Sequence, residues 1–113
     1  MSTDLLVLKS QFFRALAHPT RIRILEQLAR GERTVQELQH ALALGQPAVS
    51  QQLAALRGRD IVTVRRSGAQ AHYALRSPLV AELLRVARAF LTHALTDHRS
   101  LLRQLQRERR QAG

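Results

Sequence analysis

Residues 34–57 read TVQELQHALALGQPAVSQQLAALR, and this stretch decides the fold. Thr34 has the side chain of a helix N-cap, and Glu37 stands three residues on, so the pair spells a capping box. A helix is predicted from Val35 to about Leu44, burying Val35, Leu38, Ala41 and Leu42. Gly45 is expected to make a tight turn. Another helix follows from about Gln46 to Arg57, with Val49, Leu53 and Leu56 facing inward. Two short helices joined through a glycine-containing turn form a helix-turn-helix pattern.

Working outward, residues Asp4 to Ala17 read as a first helix that Asp4 or Thr3 can cap, with Leu5, Leu8, Phe12, Phe13 and Leu16 at helical spacing. His18-Pro19 breaks it, because a residue before proline avoids the α region. Pro19 suits the first turn of a second helix, PTRIRILEQLAR, which Gly31 ends. Downstream the period changes. Ile61-Val62-Thr63-Val64 is β-branched throughout and Ala71–Leu75 alternates, so a β-hairpin is predicted with Arg65–Gln70 as its basic tip. Pro78 opens a last helix to about Arg107, and the polar end RERRQAG is expected to fray. The expected architecture is mainly α with one small hairpin, in the order helix, helix, helix, helix, hairpin, helix. Residues 1–113 form one domain of winged helix-turn-helix type.

Composition narrows the chemistry. Eighteen Lys and Arg against eight Asp and Glu give a net charge of +10, and seventeen of the eighteen are arginine. Such a balance in a folded chain points to a polyanion, with nucleic acid first. With no cysteine there is no disulfide, thiolate metal site or cysteine nucleophile. No Gly-x-Ser-x-Gly, Gly-rich phosphate loop or His-Glu-x-x-His occurs, so the chain is not expected to be an enzyme. The N-terminus lacks the basic-then-apolar pattern of a secretory signal, and no apolar run is long enough to span a bilayer. A cytoplasmic protein without membrane partners is expected.

The candidate DNA-binding residues lie mainly on the helix after Gly45: Gln46, Pro47, Ala48, Ser50, Gln51, Gln52 and Arg57. Glutamine suits adenine, arginine suits guanine, serine suits either, and an alanine methyl can meet thymine. Arg65, Arg66 and Gln70 of the hairpin are candidates for phosphate or minor-groove contact. Thr34, with Arg33, is a candidate for holding a phosphate on free backbone amides. Leu5, Leu8 and Phe12 of the first helix, with Leu84, Leu91 and Leu95 of the last, are left over for a homodimer interface. A two-fold pair would present its reading helices to half-sites roughly 34 Å apart. No metal site and no cofactor is expected. His93, Asp97 and His98 are the only candidates for Ni(II) or Zn(II), and a solvated helix face accounts for them more simply.

FFRALAHPTRIRILEQLARGERTVQEL followed by PAVSQQLAALRGRDIVTVRRSGAQAHYAL resembles the ArsR/SmtB family of winged-helix regulators, with Ala15–Leu25 the most specific part. The resemblance covers about residues 11 to 98. It implies a homodimer formed through the first and last helices, bound to a palindromic double-stranded DNA operator, usually as a repressor released by an inducer. Sensors of thiophilic metals in that family carry Cys-x-Cys early in the third helix, where Thr34 and Gln36 stand here. Zinc and nickel sensors carry Asp-x-His and later ligands on the last helix. Aligning His93 with the first histidine puts Leu91, Gln104 and Arg107 at the other places. The effector is therefore left open between a metal, another signal, a partner protein and none. Outside this family, a non-specific nucleoid or RNA-binding protein fits the charge, and a pure interaction module fits the terminal helices.

Overall fold

A computed structural model describes residues 4–112. Its elements are α1 (Leu5–Leu16), α2 (Pro19–Leu28), β1 (Arg33–Thr34), α3 (Val35–Leu42), α4 (Gln46–Gly58), β2 (Val62–Ser67), β3 (Gln70–Leu75) and α5 (Pro78–Ala112). They fall into two compact units, one running to Ala81 and the other from Glu82 on.

Local chemistry sets each boundary in the first unit. The Asp4 carboxylate accepts from the Leu6 N–H at 2.9 Å and starts α1; Thr3 lies outside the described residues. His18 is extended ahead of Pro19, and its Nδ1 accepts from the Thr20 N–H at 3.2 Å, so an imidazole caps α2. At α3 the predicted capping box is complete. The Thr34 hydroxyl accepts from the Glu37 N–H at 3.1 Å, and the Glu37 carboxylate accepts from the Thr34 N–H at 2.9 Å. That backbone contact, ahead of the Arg33 and His72 charges, holds the Glu37 carboxyl below the ordinary carboxylate range.

The turn between α3 and α4 departs from expectation. α3 ends at Leu42, and the left-handed residue is Ala43, φ 55. Gly45 sits at φ −75, which any residue adopts, and serves as the N-cap of α4. An alanine in the left-handed region costs about 1–2 kcal/mol, and the surrounding packing holds it there. The Arg23 guanidinium donates to the Leu42 carbonyl at 3.2 Å, satisfying one orphan acceptor of that helix end. Of the residues expected to be buried in α3, Leu38 and Leu42 are; Val35 is half-buried and Ala41 is exposed.

The sheet is three-stranded, in the order β1-β3-β2. Beyond the predicted hairpin, two residues pair with β3, Arg33 opposite Tyr73 and Thr34 opposite His72. β2 and β3 extend further than predicted, to Ser67 opposite Gln70. Gly68 and Ala69 alone make the turn, with Gly68 at φ 62. A glycine first in a two-residue loop matches the right-handed twist of the strands. The core of this unit joins α2, α3, α4 and the sheet: Ile24, Leu25, Leu38, Val49, Leu53, Leu56 and Val62 are fully buried.

In the second unit α5 remains helical to Ala112, so the tail expected to fray is ordered helix. Gln104 donates to Glu108 one turn on at 3.4 Å, and Arg109 and Arg110 lie in the last turn, where cations meet the negative end of the helix dipole.

Candidate nucleic-acid interface

Helix α4 is two-sided. Val49, Leu53 and Leu56 anchor it in the core with no accessible surface, whereas Gln46, Pro47, Ala48, Gln51 and Arg57 are exposed. Of these, all but Arg57 lie in the N-terminal two turns, where small and polar side chains let a helix enter a major groove. The three glutamines differ in availability. Gln46 donates from Nε2 to the hydroxyl of half-buried Ser50 at 2.8 Å. Gln52 is half-buried and accepts at Oε1 from Arg21 Nε at 2.8 Å, a bond that ties α4 to α2. Gln51 makes no side-chain hydrogen bond among the described residues, so its carboxamide is open for a base edge.

Thr34 does not belong to this surface. It is 6% exposed, and both its hydroxyl and its N–H are taken by Glu37. The capping box that fixes α3 thereby removes the free amide expected to meet a phosphate.

The hairpin also departs from its predicted form. Arg65, Arg66 and Gln70 lie within the strands and not at the tip, opposite His72, Ala71 and Ser67. Side chains alternate across a strand, so Arg65 and Gln70 share one face and Arg66 has the other. Arg65 is already paired: its Nη2 donates to Glu32 Oε1 at 2.6 Å and its Nε to Oε2 at 3.4 Å. His72 Nδ1 lies 3.6 Å from the same Glu32 oxygen. The Arg65 hydrogen bond, with the Arg65 and His72 charges, holds the Glu32 carboxyl below its ordinary value. The pair is thus complete above the usual glutamate range and opens only as pH falls through the lowered value. Arg66 is exposed and makes no ion pair among the described residues. Glu32 and Arg21 were not singled out by sequence reading, since their partners lie 33 and 31 residues away.

The residues assigned to dimerisation are distributed over both units. Leu5 and Leu8 are 62% and 49% exposed, Leu91 and Leu95 are 57% and 61% exposed, and Phe12 and Leu84 are half-buried. Apolar area of this size on two helices is more than single surface leucines account for. His93, Asp97 and His98 are exposed on α5, and no group of three or more metal-binding side chains comes together among the described residues. None of the described helices is long and apolar enough to cross a membrane.

Comparison with known proteins agrees with this geometry. Residues 18–64 match the sequence profile described as bacterial regulatory protein, arsR family. The chain is 44% identical over 105 residues to the HTH-type transcriptional regulator Rv0081 of Mycobacterium tuberculosis, covering 92% of each. The crystal structure of Rv0081 superimposes with a TM-score of 0.78 at 45% identity, covering 86% of this chain and 98% of that one. The solution structure of the homodimeric winged helix-turn-helix DNA-binding domain of Mycobacterium bovis Mb0332 gives a TM-score of 0.75 at 30% identity, covering 83% of this chain and 91% of that one. The transcriptional repressor SmtB homolog of Synechocystis is 40% identical over 85 residues, which are 75% of this chain and 64% of that protein.

Proposed function

The chain belongs to the arsR family of bacterial regulatory proteins, and from that premise we propose that it represses transcription by gripping a palindromic operator as a homodimer. It is a transcriptional regulator and not an enzyme. The observation that carries the reading is the division of α4, whose Val49, Leu53 and Leu56 are fully buried while Gln46, Pro47, Ala48 and Gln51 stand open at its N-terminal end. A helix held this rigidly offers base-reading groups at fixed spacing. Arg66 and Arg57 add phosphate contacts from the hairpin and the end of α4. The exposed leucines of α1 and α5 supply the dimer contact, as the homodimeric state of Mb0332 supports. Such a protein works in the cytoplasm, on DNA.

The regulator works without a bound metal. The family resemblance puts Thr34, Gln36, Leu91, Gln104 and Arg107 at the ligand places of its metal sensors, with His93 the one good donor among them, and a lone imidazole does not make a Zn(II) or Ni(II) site.

A footprint of the full-length protein across its own promoter region tests the reading. The expected result is a protected palindrome with half-sites one helical turn apart, bound at least about 10³-fold more tightly than a base-scrambled duplex. Equal affinity for both duplexes would overturn operator reading and leave non-specific nucleic-acid binding. A monomer by sedimentation at the concentrations that protect DNA would overturn the dimer.

The Glu32–Arg65 pair gives a further expectation. Glu32 neutralises Arg65 and occupies two of its five N–H donors, so Glu32→Gln should raise affinity for any duplex several-fold and leave the ratio between operator and scrambled DNA unchanged. The salt dependence should steepen by up to about 0.9 in log K against log[salt] for each phosphate newly bound. Titrations at several salt concentrations measure it, and an unchanged slope would mean that Arg65 never meets DNA.

A further inference from the structure

We propose that α5 carries a second duplex-DNA surface, an arginine stripe that holds phosphates regardless of sequence. The proposal rests on the DNA-binding reading above and adds a contact outside the helix-turn-helix and the hairpin. From Glu82 to the C-terminus the chain holds seven arginines against three carboxylates, a net +4. Six of those arginines recur at 3.6-residue spacing: Arg85, Arg88, Arg99, Arg103, Arg107 and Arg110. The two turns between Arg88 and Arg99 place Thr92 and Thr96 on the same line. The stripe is made mainly of arginine and threonine, side chains that donate to phosphate oxygens, with Ala89 and Gln106 at its edges.

The stripe is open. All eight side chains are exposed, and only Arg85 is paired among the described residues, with Glu82 at 2.6 Å. The other two carboxylates of the helix, Asp97 and Glu108, lie roughly a third of a turn or more around its circumference from the middle of the stripe. From Arg85 to Arg110 the line is about 37 Å long, close to one turn of duplex. Positive charge of one sign over that distance complements a phosphate strand. A membrane surface fits less well, because α5 holds no Trp or Lys to anchor it in a bilayer and its leucine face serves the dimer contact proposed above.

The test uses the full-length protein and duplex DNA. Arg99→Gln, Arg103→Gln and Arg107→Gln are combined in one variant, and Lys9→Gln, Arg14→Gln and Arg30→Gln in a second that removes the same charge elsewhere. Circular dichroism and sedimentation check the fold and the dimer of both. The first variant is expected to lose about tenfold or more in affinity for a random-sequence duplex at low salt. It should also flatten log K against log[salt] by about 0.9 for each phosphate no longer held, with the operator-to-random ratio preserved. Equal flattening in the second variant would overturn the proposal in favour of general electrostatics. So would an unchanged slope, or loss of binding to anionic phospholipid vesicles with DNA binding intact, which would assign the stripe to a membrane. Two sources of phosphate are separated by mixing short duplexes labelled with two dyes. Co-migration of both dyes that the first variant abolishes means a second duplex, and its absence with a shortened footprint means the flank of the same one. Failure of the wild-type protein to protect any DNA would instead sink the operator reading itself.

Discussion

Replacement of Leu53 by alanine is expected to remove about 2–5 kcal/mol of unfolding free energy. Leu53 has no accessible surface, and Val49 and Leu56 on either side of it in α4 are equally buried. Fully enclosed neighbours cannot collapse into the space without moving α4 itself, so the cavity remains and adds to the lost transfer energy. A domain of this size holds only about 5–15 kcal/mol in total, and loss of DNA binding should follow the fraction unfolded. Urea denaturation reads the effect as a lower midpoint with an unchanged slope. A loss below about 1 kcal/mol would show that the site relaxes freely and that α4 is not anchored through this residue.

The second large effect concerns specificity. Gln51→Ala should reduce discrimination between operator and scrambled duplex by about 1–3 kcal/mol, the worth of one bidentate glutamine–adenine pair. Gln51 is singled out by availability: Gln46 is bonded to Ser50 and Gln52 to Arg21, whereas the Gln51 carboxamide has no partner among the described residues. Arg66→Ala should weaken both duplexes evenly, since a phosphate contact carries no base information. Competition titrations on the two duplexes measure the ratio, and an unchanged ratio in Gln51→Ala would remove α4 from base recognition.

Much of this arrangement is legible from sequence wherever the deciding interactions are local. Thr34 and Glu37 announce the start of α3, Pro19 the start of α2, and the spacing of Val49, Leu53 and Leu56 the buried side of α4. The departures come from distant partners. Gly45 has the composition of a turn, yet the left-handed position falls two residues earlier, on Ala43, where packing of the two helices outweighs intrinsic preference. β1 is too short for any alternation to reveal, and it exists only because β3 lies beside it. Arg65 and Arg66 look equivalent in sequence. Strand alternation and Glu32 make one a paired residue and the other an open one. The tail Arg107–Arg110 reads as frayed by composition, and its helix follows from continuity with a long amphipathic segment.

The pairing of Arg33 with Tyr73 and Thr34 with His72 has a mechanical consequence. Thr34 is at once a rung of the sheet and the cap of α3, so the hairpin is bolted to the scaffold that supports α4. A protein stiffened in this way cannot swing one gripping element to suit the other, and the accommodation falls to the double helix. Sites will then be ranked partly by how cheaply they curve, through flexible pyrimidine–purine steps at positions no side chain touches.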